Sequence, residues 1–501
     1  MAIILTKSLY LNGLQCPKLL WTICHEKFRL SEPEVAHKHI FDQGIQVGNL
    51  AKTLFPKGIE IKGNYWDIKE SDKKSREALN LKKPLFEAGF LSDGLYSRAD
   101  ILVPVEDKWD IIEVKSTTSV EEINYYDVAF QKYCYEKAGL VIRKCYLMHI
   151  NKDYVRKGPV NAKQLFIKKD ITKEVIDKSA GIRESVDEIL SIISEKKCPV
   201  IKIGPQCDDP YECTIRNYCW SHVPVHSVFD LYRGGKRAFE LYEKGVINLE
   251  EIPEDFMLSD KQIIQHNCAK TKKVHLHKEE IKKFLETLDY PLYFLDFETY
   301  CTAIPLYNKL RPYQNIPFQF SLHVVKDEKS PGTAPSAQVK HYSFIAQGEK
   351  DPRKEFIETL KPLLANKGSI IIYNQSFEIG VLESLIKIFP SYKSWLESIK
   401  KRIVDLLVPF RNFYYYNPKQ QGSCSIKSVL PAITKFSYNN MEIAEGTIAS
   451  LQYLYMTHGD VNGKKPSAEE SAKIRKALEA YCGLDTMGMI YIIGKLKDII
   501  K

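Results

Sequence analysis

The stretch that most constrains this chain is "YPLYFLDFETY", residues 290–300. Leu292, Tyr293, Phe294, Leu295 and Phe297 make an apolar run after Pro291, which reads as a buried strand. Asp296 and Glu298 interrupt it two residues apart, so on a strand they share one face. Two ionised carboxylates buried side by side cost several kcal/mol unless something positive meets them. Taken alone, the pair reads either as an ordinary surface pair on an edge strand or as a buried face that something positive must meet.

Length and composition set the frame for that demand. At 501 residues the chain exceeds one ordinary core, so two or three domains are expected. With 44% hydrophobic and 27% charged residues it has a globular composition. No apolar run approaches the roughly 20 residues that cross a bilayer, so no membrane association is expected. The N-terminal "MAIILTKSLYLNGLQCPK" lacks a basic region followed by an apolar stretch and a cleavage site, which points to the cytoplasm. The net charge of +9 permits a polyanionic partner without demanding one. Twelve cysteines in such a chain argue for metal ligation or plain buried thiols rather than a disulfide scaffold. Cys134, Cys145 and Cys482 sit among apolar residues and need only packing to explain them. Oligomeric state is not legible.

Three segments follow from the pattern of elements. Residues 1–220 begin helical, then turn strand-rich through "PLFEAGFLSDGLYSRADILVPV" and "WDIIEVKS". A helical pattern in "INYYDVAFQKYCYEKAG" and a strand in "CYLMHIN" come next. Residues 221–288 read as a charged, helical connecting module. From 289 to 501 strands and helices alternate, as in an α/β domain, with "KSPGTAPSAQ" (329–338) as a loop between two strands.

Two further segments of the last domain bear on the opening strand. "GSIIIYNQSFEIGVLESL" sets a strand before a turn and a helix, with Glu378 in that helix's first turn. "KALEAYCGLDTMGMIYIIGKL" is a helix whose Tyr481 and Asp485, four apart, share a face. Acidic groups from three segments can converge on divalent cations, and carboxylates suit Mg²⁺ or Mn²⁺. The order D-x-E on a strand, N-x-x-F-E leading a helix and Y-x-x-x-D on a last helix resembles the DEDD exonucleases. These have ribonuclease H-like, or DnaQ-like, folds, and the tyrosine places the likeness with the DEDDy subclass. The resemblance implies 3′→5′ exonuclease chemistry with two metals roughly 3.5–4 Å apart. It further implies that Asp296 bridges both ions, Glu298 and Asp485 hold the first, Glu378 supports the second, and Tyr481 orients the water. Glu378 stands where the family has Asp. Residues 402–431, with Tyr414, Tyr415 and Tyr416 near Arg402, Arg411 and Lys427, read either as ordinary elements or as a nucleic-acid channel.

The first domain carries a second constellation. In "RADILVPVEDKWDIIEVKS", Glu113 and Lys115 share a strand face and Asp100 lies on the preceding strand of a hairpin. A metal on Asp100 and Glu113 could activate water while Lys115 steadies hydroxide or phosphate. Gln131 and Tyr135 follow on the next helix. D…E-x-K with Q-x-x-x-Y resembles the RecB-like branch of the PD-(D/E)XK, restriction-endonuclease-like nucleases; Glu87 is the candidate for that fold's early acidic residue. The metal-binding histidine that many of these enzymes carry on a helix is replaced by Gly48. Cys16 before this core and Cys207, Cys213 and Cys219 after it resemble the iron–sulphur members of that branch, which implies a [4Fe–4S] cluster. Structural Zn²⁺ is the alternative for four thiolates, and five residues separate each consecutive pair in 207–219.

Together the two resemblances cover nearly the whole chain and are similar to an uncharacterised bacterial family that fuses the two nucleases. The expectation is a metal-dependent nuclease with two active sites. DNA is the expected polymer, cut from ends in repair, mobile-element processing or phage defence. The alternatives are a nucleic-acid-binding adaptor with one or both sites degenerate, or an exoribonuclease. No feature of the sequence reads a 2′-hydroxyl.

Overall fold

The computed structural model describes residues 3–32, 35–63, 67–327, 339–439 and 441–501; the loop read at 329–338 lies outside them. The architecture is mixed α/β, and the chain divides into two compact units. The first is Met1–His222 with Thr302–Gln314, and the second is Val223–Cys301 with Asn315–Lys501.

The first unit is built on a seven-stranded sheet. Strands β1 (Leu85–Ser92), β2 (Leu95–Val105) and β3 (Lys108–Lys115) form an antiparallel meander. Asp93 and Gly94, both at positive φ (51° and 77°), make the two-residue turn that an Asp-Gly pair favours. Helix α1 (Glu122–Lys137) then crosses over to β4 (Ile142–Ile150), which runs parallel to β3. Strand β3 is buried on both faces: Trp109 and Ile111 join one core, Ile112 and Val114 another. Glu113 therefore shares the face of Trp109 and Ile111, on which α1 packs.

The second unit holds a five-stranded sheet in the order Val339–Ile345, Ile316–Val325, Leu292–Tyr300, Ile370–Ile372 and Ile403–Asp405. The first three are antiparallel, and the last two run parallel to Leu292–Tyr300. Along Leu292–Tyr300, Tyr293, Leu295 and Phe297 enter one core with Phe356 and Ile370. The opposite face, carrying Asp296 and Glu298, is covered by the helices Gly446–His458 and Ala468–Ile500.

The division differs from the sequence reading at two places. Residues 223–288 pack with the second unit instead of standing apart. Cys268 and Tyr232 share a core with Phe413 and Tyr416, and His275–Leu276 pairs with Tyr415–Tyr416. Residues 302–314, expected inside 289–501, belong to the first unit: Ala303 joins its core, and Arg156 donates to the Pro305 carbonyl at 2.8 Å.

Candidate active sites and metal centres

In the second unit the sheet and two helices bring together residues from three distant segments. Asp296 and Glu298 come from the central strand, Glu378 from the first turn of Gln375–Ile388, and Tyr481 and Asp485 from the long C-terminal helix. The strand 403–405 helps aim Glu378. Asp405 Oδ1 accepts the backbone N–H of Asn374 and of Leu407, both at 2.9 Å, which fixes the turn before that helix. Asn374 sits in the left-handed region (φ 78°), which Asn tolerates better than most residues.

The cluster is short of positive charge. Glu298, Glu378 and Asp485 are all at most 8% exposed. Burial, then the neighbouring Asp485, Glu298 and Glu378, push Asp296 well above the usual carboxyl range. Burial and Asp485 raise Glu298 to about 8, against the pull of Lys427. Burial raises Glu378 to about 8, with Asp405 adding to it. Burial raises Asp485 to about 6, restrained by the Tyr438 hydroxyl, which donates to Oδ1, and by Lys427. Glu378 Oε2 is buried with no hydrogen-bond partner. Carboxylates this crowded, with an acceptor left over, fit divalent cations. Oxygens of Asp296 and Glu298 and Sγ of Cys482 lie within 4.8 Å of one another.

Tyr438, Cys482 and Asp405 escaped the sequence reading. Cys482, expected to be a plain core thiol, donates to Asp296 Oδ2 at 3.4 Å. Its position three residues before Asp485 was the available signal, because i and i+3 share a helix face. The aromatic channel is revised. Tyr415 and Tyr416 are buried at 4% and 1% exposure, so neither offers a stacking face. Arg402 is spent on the carbonyls of Gly368, Ala365 and Lys367. Lys427 does reach the site, with Nζ 5.5 Å from the Tyr481 ring.

In the first unit, Glu113 and Gln131 meet in a different electrostatic setting. Lys115 Nζ donates to Glu113 Oε1 at 2.8 Å and to Asp127 Oδ2 at 2.7 Å. Lys7 Nζ lies 2.8 Å from the same Glu113 oxygen and 3.1 Å from Asp127 Oδ1. Gln131 Nε2 donates to Glu113 Oε2 at 2.7 Å and to Asp127 Oδ1 at 3.0 Å, while its Oε1 is buried without a partner. Burial alone would raise Asp127, but Lys115 and Lys7 hold it well below the usual range. Asp100 accepts the Val114 N–H at 2.7 Å; burial and then Glu113 raise it to about 7. Lys7 and Asp127 were not singled out from the sequence. Tyr135 bridges two strands, donating to the Ala88 carbonyl and accepting from the Ala99 N–H, each at 2.6 Å. It is a clasp of the sheet, with both its bonds to backbone. Glu87 is paired with Lys52 (2.9 Å) and Arg98 (3.1 Å).

The four cysteines converge. Cys16, Cys207, Cys213 and Cys219 line one small enclosed cavity with Ile201, Ile203 and Ile215. All four are unbridged. Gln15 ties the two ends of the unit together by donating to the carbonyls of Gln206 (2.9 Å) and Tyr211 (2.6 Å). Burial raises the Cys16 thiol, and raises that of Cys213 to about 11, the other thiols of the group adding to both. Four thiols around an apolar hollow fit a soft thiophilic centre, iron–sulphur or zinc, and suit hard oxygen-seeking ions poorly.

No helix among the described residues is long and apolar enough to cross a membrane. Residues 293–425 match the family described as a domain of unknown function, DUF2779. The chain is 25% identical over 220 residues to the uncharacterized protein MG366 of Mycoplasma genitalium. It is 25% identical over 219 residues to the MG366 homolog of Mycoplasma pneumoniae. These matches take in 42% and 41% of this chain, and the chain spans about a third (32%) of the length of each relative.

Proposed function

We propose that the chain is a metal-dependent nuclease that hydrolyses phosphodiester bonds of nucleic acid, DNA before RNA, with a ribonuclease H-like site in the second unit and a PD-(D/E)XK-type site in the first. The observation that carries this reading is the gathering of half-buried Asp296 with buried Glu298, Glu378 and Asp485 into one cluster whose carboxyls are pushed above their ordinary range. The sheet order, three antiparallel strands then two parallel ones, supports the ribonuclease H-like half. The meander followed by a crossover helix and a parallel strand supports the other. The four-cysteine cavity supports a [4Fe–4S] cluster that fastens the ends of the first unit.

Mg²⁺ or Mn²⁺, when bound, supplies an activated water and neutralises the charge of a phosphodiester oxygen. The chain's own residues do the rest. Asp296, Glu298, Glu378 and Asp485 offer oxygen ligands. Cys482 orients Asp296, and Tyr438 orients Asp485. Tyr481, kept protonated by burial and by the surrounding carboxylates, offers a hydroxyl proton to a water or phosphate oxygen. Lys427 supplies a cation beside the same cluster. In the first unit Asp100 and Glu113 are the ligands, and Lys115 is the group that faces an anion.

A second reading, a binding adaptor, is favoured by one observation: Glu113 is already paired by two lysines. End-labelled single- and double-stranded DNA and RNA, with Mn²⁺ or Mg²⁺, separate the two. Cleavage by the wild type that Asp296→Ala and Glu113→Ala each reduce in part is expected. Binding without cleavage of any of these substrates would leave the adaptor.

A further inference from the structure

The first unit's cluster holds two groups that a D…E-x-K reading does not use, Lys7 and Asp127. They form a closed ring with Glu113, Lys115 and Gln131. Glu113 Oε1 receives both ammonium groups, at 2.8 Å each. Asp127 receives Lys115 at 2.7 Å on one oxygen, and Lys7 at 3.1 Å and Gln131 at 3.0 Å on the other. Two carboxylates thus face two ammoniums, and the ring is neutral. Glu113 and Asp127 are almost wholly buried (side chains 3% and 4% exposed), whereas Lys7 and Lys115 are 24% and 26% exposed. Part of each lysine side chain is therefore open to solvent, while the two carboxylates lie beneath.

Asp100 stands outside the ring, held by the Val114 N–H and, among the described residues, by no lysine bond of its own. A carboxylate oxygen offers two lone-pair directions. Both are taken on Glu113 Oε1, and Gln131 takes one on Oε2. What remains for a cation is one direction on Glu113 Oε2 together with Asp100. Asp127 takes Lys7 and Gln131 on Oδ1, and the direction left on Oδ2 lies beside the Lys115 ammonium, which would repel a second divalent ion there.

We infer that Lys7 is the second cation of this site: with Lys115 it fills the place a second divalent ion would take, so the first unit binds one divalent ion, at Asp100 and Glu113. The inference rests on the nuclease reading of that unit. Lys7 leads the helix Lys7–Gln15, whose start is fixed by the Thr6 side chain accepting the Leu9 N–H. The ammonium is thus held on a rigid element, as a positioning cation for the non-bridging oxygens of a phosphodiester must be. A lysine in this place neutralises charge without the dehydration that a small divalent ion demands.

The test counts bound Mn²⁺ by electron paramagnetic resonance on the full chain carrying Asp296→Asn and Asp485→Asn, which silence the second unit. One Mn²⁺ per chain is expected in this parent, none with Glu113→Gln added, and two with Lys7→Gln added. Lys7→Arg, which keeps the charge, should still bind one. Two ions in the parent, or one in a folded Lys7→Gln protein, would overturn the role given to Lys7 and leave the nuclease reading standing. If Lys7→Gln does not fold, the counts in the parent and in Lys7→Arg decide, two ions in either overturning the inference. No ion in the parent would sink the metal reading of the first unit itself, and this inference with it.

Discussion

The sharpest consequence of the carboxyl cluster is that removing one of its charges should stabilise the metal-free protein. Glu298 is the informative position, since burial and Asp485 raise it from 4.5 to about 8. A carboxyl whose folded pKa lies above its unfolded value binds its proton more tightly when folded. The stability this contributes is complete below about pH 4.5 and is lost as pH climbs through about 8. At roughly 1.4 kcal/mol per pH unit the interval corresponds to about 5 kcal/mol. Glu298→Gln keeps the shape but gives up the attraction of Lys427, so a net gain of about 3 kcal/mol is expected at pH 8 with chelator present. For a unit of this size that raises its melting temperature by roughly 6–12 °C. At pH 5 the two proteins should melt together, because Glu298 is then protonated in the wild type as well. Saturating Mn²⁺ should reverse the order at pH 8, since only the wild type retains the full ligand set and gains from mass action. Calorimetric melts at the two pH values, with chelator and with Mn²⁺, contain the whole experiment. A variant less stable than wild type at pH 8 in chelator would refute the reasoning, for it would mean that Glu298 is already compensated within the protein.

Three other outcomes follow from single contacts. Tyr438→Phe removes the hydroxyl that holds Asp485 down against burial; the acid limb of the pH–rate profile should move up by about one pH unit, the worth of one hydrogen bond to a charged group. Protein purified without oxygen should be brown, with a broad absorbance near about 400 nm that Cys213→Ser abolishes; a colourless protein carrying one zinc would replace the cluster by a zinc site. Asp127→Asn leaves Lys7 and Lys115 sharing Glu113 alone and should cost about 2–3 kcal/mol in chemical denaturation, less than a fully buried pair because both lysines are partly solvated.

How much of this was legible depended on sequence distance and on what a side chain looks like from its neighbours. Period-two alternation puts Asp296 and Glu298 opposite Phe297, and the helical spacing of Tyr481 and Asp485 carries the rest of that cluster. The turn at Asp93-Gly94 announces the meander that carries Asp100 and Glu113. Lys7 was not legible, because its partner Glu113 lies 106 residues away and "TKSLY" looks like any helix start. Asp127 is hidden because its helix mixes polar and apolar residues on the buried face, so nothing local marks it as buried. Cys482 reads as core because it is core; only the register of the strand beneath shows that the atom it touches is Asp296 Oδ2. Tyr415 and Tyr416 misled in the opposite sense. A run of tyrosines in a polar stretch suggests exposed faces, but these two pair with His275–Leu276, a partner that no local pattern announces.

The two clusters also differ in a way that bears on what each requires of its surroundings. In the first unit Glu113 and Asp127 face Lys7 and Lys115, while Asp100 has no lysine bond among the described residues. Its cost of burial is met inside the chain, so that unit should hold its fold without added metal. In the second unit four carboxyls gather, and Lys427 is the cation that pulls on Glu298 and Asp485. A protein can meet such a deficit by protonation or by a bound ion, and only the second leaves ionised ligands at neutral pH. Chelation should accordingly loosen the second unit alone, with faster hydrogen exchange along 292–300 and 468–500 and unchanged exchange along 108–115 and 122–137. Equal loosening of both regions would show that the lysine ring does not compensate its carboxylates, and the contrast between the two sites would fall.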